Sequence, residues 1–361
     1  MGIGEYSFLL ISFFIIVLFT LFIIGPIDYF GNKLGFIDYP NSRKQHFKPR
    51  SRIGGMALVF ALLPITLVIL LGKLSPINNE LILLIAWSSF LIYLVGLFED
   101  IFKLSPILRL MMQTTISIYA WSNGLRLPNE VFVSNFINPE FVYFLNLLFT
   151  CTLLVAITNA INWLDGLDGL ASGISCIFFV HIGLVCFFSG FNYLGISSFF
   201  LASTTFGFLL KNSYPSIILM GDGGSYFLGF SLAAVSITLI NFTQIYDYSF
   251  SLGQFFKYFS PILIFLLPSL DMFFVILSRI FSGDSPFLPD RRHFHYRLLD
   301  SGFSYENTIK LIYFLSFFSV FLCSLLYDFR INLIITNTIT LGILYLIVKI
   351  FNSKKELYKL K

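Results

Sequence analysis

Asn159 to Gly173 reads NAINWLDGLDGLASG and places two carboxylates, Asp165 and Asp168, with three glycines at the edge of an apolar run. A charge in an apolar setting is costly, so an acid there calls for a partner or a function. Three residues apart, the two aspartates share one face if the turn is helical. An Asp-Gly turn leaving a helix would also account for either acid taken alone. The repeated D-G-x-D-G, with Asn159 and Asn162 ahead of it, favours chemistry over a plain turn.

Four further charged stretches stand beside apolar runs. Glu99 and Asp100 close one run in GLFEDIFKLSP, where paired acids oppose the helix dipole. Glu99 facing Lys103 one turn on is the simple alternative. Asp222 lies in MGDGGSYFLG, as a helix N-cap or as part of a glycine-rich anion cradle. SPFLPDRRHFHYRLL carries Arg291, Arg292, His293 and His295; the two histidines point the same way only on extended chain. No further Cys or His completes a zinc set around them. The early loop YPNSRKQHFKPRSRIGG, with Lys48 and Arg52, reads as a membrane-surface anchor or a phosphate contact. Asp271 stands alone, eight residues before Arg279 and therefore about 12 Å into its helix. It is a functional candidate, or a hydrogen-bonding group where Pro268 interrupts the helix.

Gathered at one mouth, Glu99, Asp100, Asp165, Asp168 and Asp222 would repel and raise one another's pKa values. A hard divalent cation with oxygen ligands relieves that repulsion, and Mg²⁺, with Mn²⁺ as a substitute, commonly bridges carboxylates and substrate phosphates. Acid-held Mg²⁺ ringed by Arg, Lys and His is a layout for phosphoryl transfer.

The elements that must position these groups are membrane helices. Of 361 residues, 57% are hydrophobic and 12% charged, with a mean hydropathy of +0.85. A soluble domain carries about 25% charged residues. Apolar runs of about 20 residues predict an all-α polytopic bundle in one domain, 1–361. Eleven spans are expected, near 8–30, 53–72, 81–98, 106–122, 142–161, 170–188, 193–210, 224–243, 259–280, 307–327 and 331–350. Most of the 23 basic residues then fall on the side of the 31–52 loop, which makes that side cytoplasmic, the N-terminus external and the C-terminus internal. The loops 31–52, 99–105, 162–169, 211–223 and 281–306 all land on that cytoplasmic face. The four cysteines lie in apolar runs and read as small buried hydrophobes. Nothing suggests a nucleic-acid partner.

The chain resembles the polyprenyl-phosphate N-acetylhexosamine-1-phosphate transferases. The likeness spans nearly the whole chain and rests on five pieces in order: R-K-x-H…P-x-x-R-x-G-G (43–55), the acidic pair at 99–100, NAINWLDGLDGLASG, N-x-x-P…MGDGGS (212–225), and SPFLPDRRHFHYRLL. The resemblance implies that a UDP-N-acetylamino sugar, UDP-GlcNAc by default, gives its sugar 1-phosphate to undecaprenyl phosphate, releasing UMP, with Mg²⁺. That is the first membrane step of a cell-envelope glycan such as lipopolysaccharide, at the bacterial inner membrane. It implies metal binding at Asp222 and Asp165, and catalytic or positioning roles for Glu99 and Asp100. Nucleotide or pyrophosphate contacts are implied for Asn162, Asp168, His293 and His295. Lys48, Arg52, Asn212, Arg291 and Arg292 are expected to contact substrate. The resemblance also allows a homodimer.

Glu99 departs from the Asp-Asp pair usual in the family. A phosphate monoester is largely ionised at neutral pH without a strong base, so direct attack by the lipid phosphate is expected, with Glu99 and Asp100 positioning. The strings HFHYR and RSRIGG differ from those of the peptidoglycan lipid I synthases, which makes UDP-MurNAc-pentapeptide the alternative donor. A transporter with an acidic gate is the alternative from another class. It predicts charges deep in several spans and chemistry on both faces, whereas only Asp271 is deep and the outer loops are bland.

Overall fold

The computed structural model describes residues 3–39, 49–60, 63, 76–129, 132, 138–244, 259–326 and 337–349. Local sequence sets the helix boundaries. Ser105 accepts the Leu108 N–H at 3.3 Å with Pro106 behind it, and Asn138 accepts the Glu140 N–H at 3.0 Å with Pro139 behind it. Both are N-caps followed by proline in the first turn, where the missing N–H costs nothing.

The helices are α1 (Ile3–Lys33), α2 (Gly55–Val59), α3 (Pro76–Phe102), α4 (Pro106–Ser122), α5 (Pro139–Leu164), α6 (Leu170–Phe188), α7 (Asn192–Asn212), α8 (Gly221–Gln244), α9 (Leu266–Phe281), α10 (Phe294–Asp300), α11 (Tyr305–Leu326) and α12 (Asn337–Lys349). A two-residue ribbon, β1 (Ile37–Asp38) against β2 (Arg50–Ser51), pairs antiparallel with Asp38 opposite Arg50.

Seven helices among the described residues are long and apolar enough to cross a membrane: α1, α3, α5, α6, α7, α8 and α11. Of the other expected spans, α4 has 17 residues, and 53–72 is described only in part, beginning with α2. The span expected over 259–280 is not continuous. Its helix breaks at 264–265 and restarts as α9. Pro268 explains the break, since its ring clashes with the carbonyl four residues back and it has no N–H to give.

Helices α6 and α8 are almost wholly buried. Both α3 and α5 pack on α8, and α7 packs between α6 and α1. The outer face of α1 instead exposes Phe14, Leu18 and Phe22, as a lipid-facing helix does. The approach of α3 to α8 is close: a Cβ on Gly96 would stand 2.4 Å from the Asp222 carbonyl oxygen. Glycine here brings the acidic end of α3 against the acidic start of α8.

Candidate active site

The acids meet at one end of the bundle. Glu99 and Asp100 occupy the last turn of α3, Asp165 caps the C-terminus of α5, Asp168 sits in the following turn, and Asp222 lies in the first turn of α8. Asp222 is thus inside its helix rather than the cap residue. Its carboxylate accepts from Asn162 Nδ2 at 3.0 Å, and the same amide reaches Ser225 Oγ at 2.9 Å. Asp100 accepts the Gly223 N–H at 3.2 Å and lies 3.1 Å from Arg52. Arg52 also reaches Asp38 at 3.5 Å. The early ribbon therefore delivers a guanidinium to the α3–α8 junction.

Asp168 is held by Arg50 at 2.9 Å and by the Ser216 N–H at 2.9 Å, and the Asp168 backbone N–H donates to the Tyr305 hydroxyl. Arg50 continues to Ser216 Oγ at 2.7 Å. Arg109, one turn into α4, stands 3.6 Å from Glu99, 3.8 Å from Asp222 and 3.4 Å from the Tyr226 hydroxyl. Glu99 therefore faces Arg109 at ion-pair distance, and its Oε2 is buried without a hydrogen bond among the described residues.

Asp165 has no ion-pair partner among the described residues. Burial first, then the charges of Asp222, Asp168 and Asp100, raise its pKa well above the ordinary carboxylate value; Arg52 opposes them more weakly. The described residues contain no group of three His, Cys, Asp or Glu spaced to enclose a metal by themselves. Asp165 and Asp222 nonetheless retain coordination capacity. Two carboxylates suit a cation that completes its shell with phosphate oxygens and water.

The late loop is exposed over most of 281–290, including Phe287 and Leu288, and turns inward at His293 and His295. It folds back beside α9 until His293 reaches Asp271, two helical turns below Arg279. The histidines converge although the chain is helical from Phe294 onward. Extended backbone at His293 alone turns its ring alongside His295, with centroids 5.7 Å apart and planes 8° apart. His295 is fully buried against Gly166, where a Cβ would meet its Nε2 at 2.3 Å. Burial first, then His293, lower its pKa to about 3; Asp271 opposes them and Arg291 adds a smaller lowering, so this ring is neutral near pH 7. Trp163 packs edge-on to His293 and under the Arg279 guanidinium at 4.9 Å.

Other expected contact residues sit differently. Asn212 is buried with its side chain committed: Oδ1 accepts Gly169 N–H at 3.1 Å and Ser172 Oγ at 2.8 Å, while Nδ2 donates to the Ile218 carbonyl at 3.1 Å. It fixes the 165–169 turn to the loop before α8. Arg291 pairs with Asp300 at 2.7 Å, and Arg292 pairs with Asp284 and with Asp290 at 3.4 Å. Lys48 lies outside the described residues. Sequence reasoning left out Arg50, Arg109, Arg279 and Tyr305. Arg109 carried a usable signal, since an arginine one turn inside an apolar helix needs a partner. Tyr305 carried none.

An apolar groove of about 580 Å³ leads to this cluster. Arg109, Asn162, Trp163 and Tyr226 line its polar end, and Ile118, Phe144 and Leu148, all exposed on the bundle surface, line its apolar part. Along α4 it runs from Arg109 to Ile118, about 14 Å at 1.5 Å per residue. It thus joins a lipid-facing surface to an acidic, guanidinium-bearing mouth.

A helical membrane bundle with such a mouth is a scaffold for chemistry on a lipid-borne anion. Comparison with known proteins narrows this class. Residues 82–240 match the profile of glycosyl transferase family 4. A Bacillus subtilis (strain 168) protein named probable undecaprenyl-phosphate N-acetylglucosaminyl 1-phosphate transferase is 32% identical over 307 residues, covering 84% of this chain and 81% of its own. A Mycobacterium leprae (strain TN) decaprenyl-phosphate N-acetylglucosaminephosphotransferase is 32% identical over 323 residues, 81% of this chain and 77% of its own. An Escherichia coli (strain K12) undecaprenyl-phosphate alpha-N-acetylglucosaminyl 1-phosphate transferase is 29% identical over 311 residues, 84% and 79% respectively. The chain belongs to glycosyl transferase family 4, among its polyprenyl-phosphate N-acetylglucosamine-1-phosphate transferases.

Proposed function

We propose that this protein transfers N-acetylglucosamine 1-phosphate from UDP-GlcNAc to undecaprenyl phosphate, releasing UMP, at the cytoplasmic face of the bacterial inner membrane. The observation that carries the reading is the groove that opens from the lipid-facing surface onto Arg109 and Asn162 beside the acids. One substrate is a soluble nucleotide and the other a membrane lipid, and this geometry lets each approach from its own phase. Eleven crossings, an external N-terminus and an internal C-terminus belong to the same proposal, supported by the bias of basic residues.

In the proposed reaction an ionised oxygen of the lipid phosphate attacks the β-phosphorus of the UDP-sugar. The new P–O bond forms as the bond from β-phosphorus to the bridging oxygen breaks, and UMP departs with that electron pair. Arg109 contacts its acids only at 3.6 and 3.8 Å, so its guanidinium can turn to the arriving lipid phosphate. Asp165 and Asp222 would hold Mg²⁺, with Mn²⁺ as a substitute. Bound there, the ion would offset charge on the transferring diphosphate. Asn162 keeps Asp222 oriented, and Asp168, braced by Arg50, faces the nucleotide side. The late loop closes the mouth over the diphosphate, with His293 toward it and the buried His295 ring packed alongside, against Gly166. Glu99 and Asp100 position rather than attack.

Purified protein supplied with UDP-GlcNAc, undecaprenyl phosphate and Mg²⁺ should release UMP in proportion to polyprenyl diphosphate-GlcNAc formed. UMP release only with another UDP-amino sugar would correct the donor, and none with any donor would remove the reading.

A further inference from the structure

Helix α9 carries a stripe of buried residues, Pro268, Asp271, Val275 and Arg279, at spacings of three and four. The other flank supplies Met272 and Ile276 to the groove wall. The whole late loop is built on the buried stripe. Arg279 grips Asp290 through two nitrogens at 3.0 and 3.1 Å and the Pro286 carbonyl at 2.6 Å. Asp271 makes the deeper attachment. One carboxylate oxygen lies 2.9 Å from His293 Nδ1 and the other accepts the Phe294 N–H at 2.7 Å.

That second bond matters chemically. It ties the first turn of α10 to the same carboxylate that touches the His293 ring, so backbone and ring are fixed together. A carboxylate on Nδ1 forces the proton onto that nitrogen, because the carboxylate can only accept. In the neutral ring Nε2 is then an acceptor. In the imidazolium it is a charged donor whose positive charge Asp271 offsets. Trp163 on one side and the parallel ring of His295 on the other leave His293 little freedom to rotate.

We infer that Asp271 is a positioning residue for the transfer reaction: it sets the tautomer and direction of His293, so that Nε2 faces the diphosphate oxygens at the mouth. This rests on the function proposed above. Asp271 touches no substrate itself. Its place low on α9, puzzling for an isolated membrane acid, follows from the loop having folded down to meet it. It also puts the His293 clamp and part of the lipid groove on one helix.

The test uses full-length protein in lipid nanodiscs with ¹⁵N-labelled histidine. The chain has only four histidines, so the His293 ring signals can be assigned by substitution. In the unsubstituted protein Nδ1 should carry the proton at every pH where His293 is neutral. Asp271→Asn should lower kcat about 10–100-fold, the range for outer partners of ligating histidines. It should leave KM for the UDP-sugar within about threefold and give His293 mixed-tautomer shifts. Asp271→Glu should recover part of kcat and of the Nδ1–H signal. The inference is overturned if Asp271→Asn leaves the His293 shifts unchanged, whatever happens to kcat. It is equally overturned if the shifts change while kcat per folded molecule does not. The ring spectrum needs no turnover, so failure of the proposed reaction would show separately, as absence of UMP release by the unsubstituted protein.

Discussion

Asn162 donates to Asp222 across 60 positions of sequence, 3.0 Å from Nδ2 to Oδ1. The bond joins the last turn of α5 to the first turn of α8 and leaves the other Asp222 oxygen facing Arg109. An amide that donates to a carboxylate orients it without neutralising it, which suits the proposed role of Asp222 as a cation ligand.

Replacing Asn162 by Asp would put a second carboxylate against Asp222. Turnover should fall by about 100-fold or more, consistent with a loss of a few kcal/mol from one misplaced charged group. The Mg²⁺ concentration for half-maximal rate should rise. Asn162→Ala should give the milder defect of the two. Steady-state UMP release across a Mg²⁺ titration reads both.

Arg109 lies at the end of the groove, so its loss should be felt by the lipid first. Arg109→Ala should raise KM for undecaprenyl phosphate about 10–100-fold, the cost of a hydrogen bond to a charged group. KM for the UDP-sugar should change much less. Thr152→Phe in the groove wall should show the same one-sided effect with Arg109 intact. Equal changes in both KM values would place the lipid elsewhere.

Asp165 makes a prediction about stability. Its folded-state pKa is raised, by burial first and then by Asp222, Asp168 and Asp100. Its contribution to stability is therefore full below the unfolded value of about 4 and is lost as pH rises through the folded value. At pH 7 without divalent cation, Asp165→Asn should raise Tm while abolishing turnover. Lowering the pH from 7 toward 5 should narrow that Tm difference, and Mg²⁺ should raise Tm of the unsubstituted protein more than that of the variant. Thermal unfolding in detergent at several pH values, with and without Mg²⁺, reads each difference.

Much of this arrangement could be read before any coordinates. The acids announce themselves because apolar sequence makes charge conspicuous, and the basic bias places their loops on one side. Sequence could not show who bonds whom. Arg50 reaches Asp168 over 118 positions only because a short ribbon turns it inward. Asn212, expected at the substrate, is bonded to the Gly169 N–H, the Ser172 hydroxyl and the Ile218 carbonyl, since a buried amide takes the nearest partners. The late loop hid most. A PFLPD stretch reads as surface chain and remains exposed at Phe287 and Leu288, but nothing in it says that Arg279 and Asp271 will anchor Asp290 and His293 beside α9.

Glu99 in place of aspartate bears on the route of transfer. If the lipid phosphate attacks directly, Glu99→Asp should retain at least about a third of kcat, because only placement of the Arg109 guanidinium is altered. Incubation with UDP-GlcNAc alone should leave no phosphate on the protein by intact mass. A phosphorylated carboxylate at Glu99 or Asp100 would replace direct attack with a two-step route.

The proposed function has one acidic mouth joining a soluble nucleotide-sugar to a lipid phosphate. Its most direct measurement is UMP release by the purified protein with UDP-GlcNAc and Mg²⁺, with and without undecaprenyl phosphate. Stoichiometric UMP and polyprenyl diphosphate-GlcNAc are predicted only when both substrates are present, lost in Asp222→Asn at unchanged folding. UMP release that ignores the lipid, or full activity in Asp222→Asn, would contradict it.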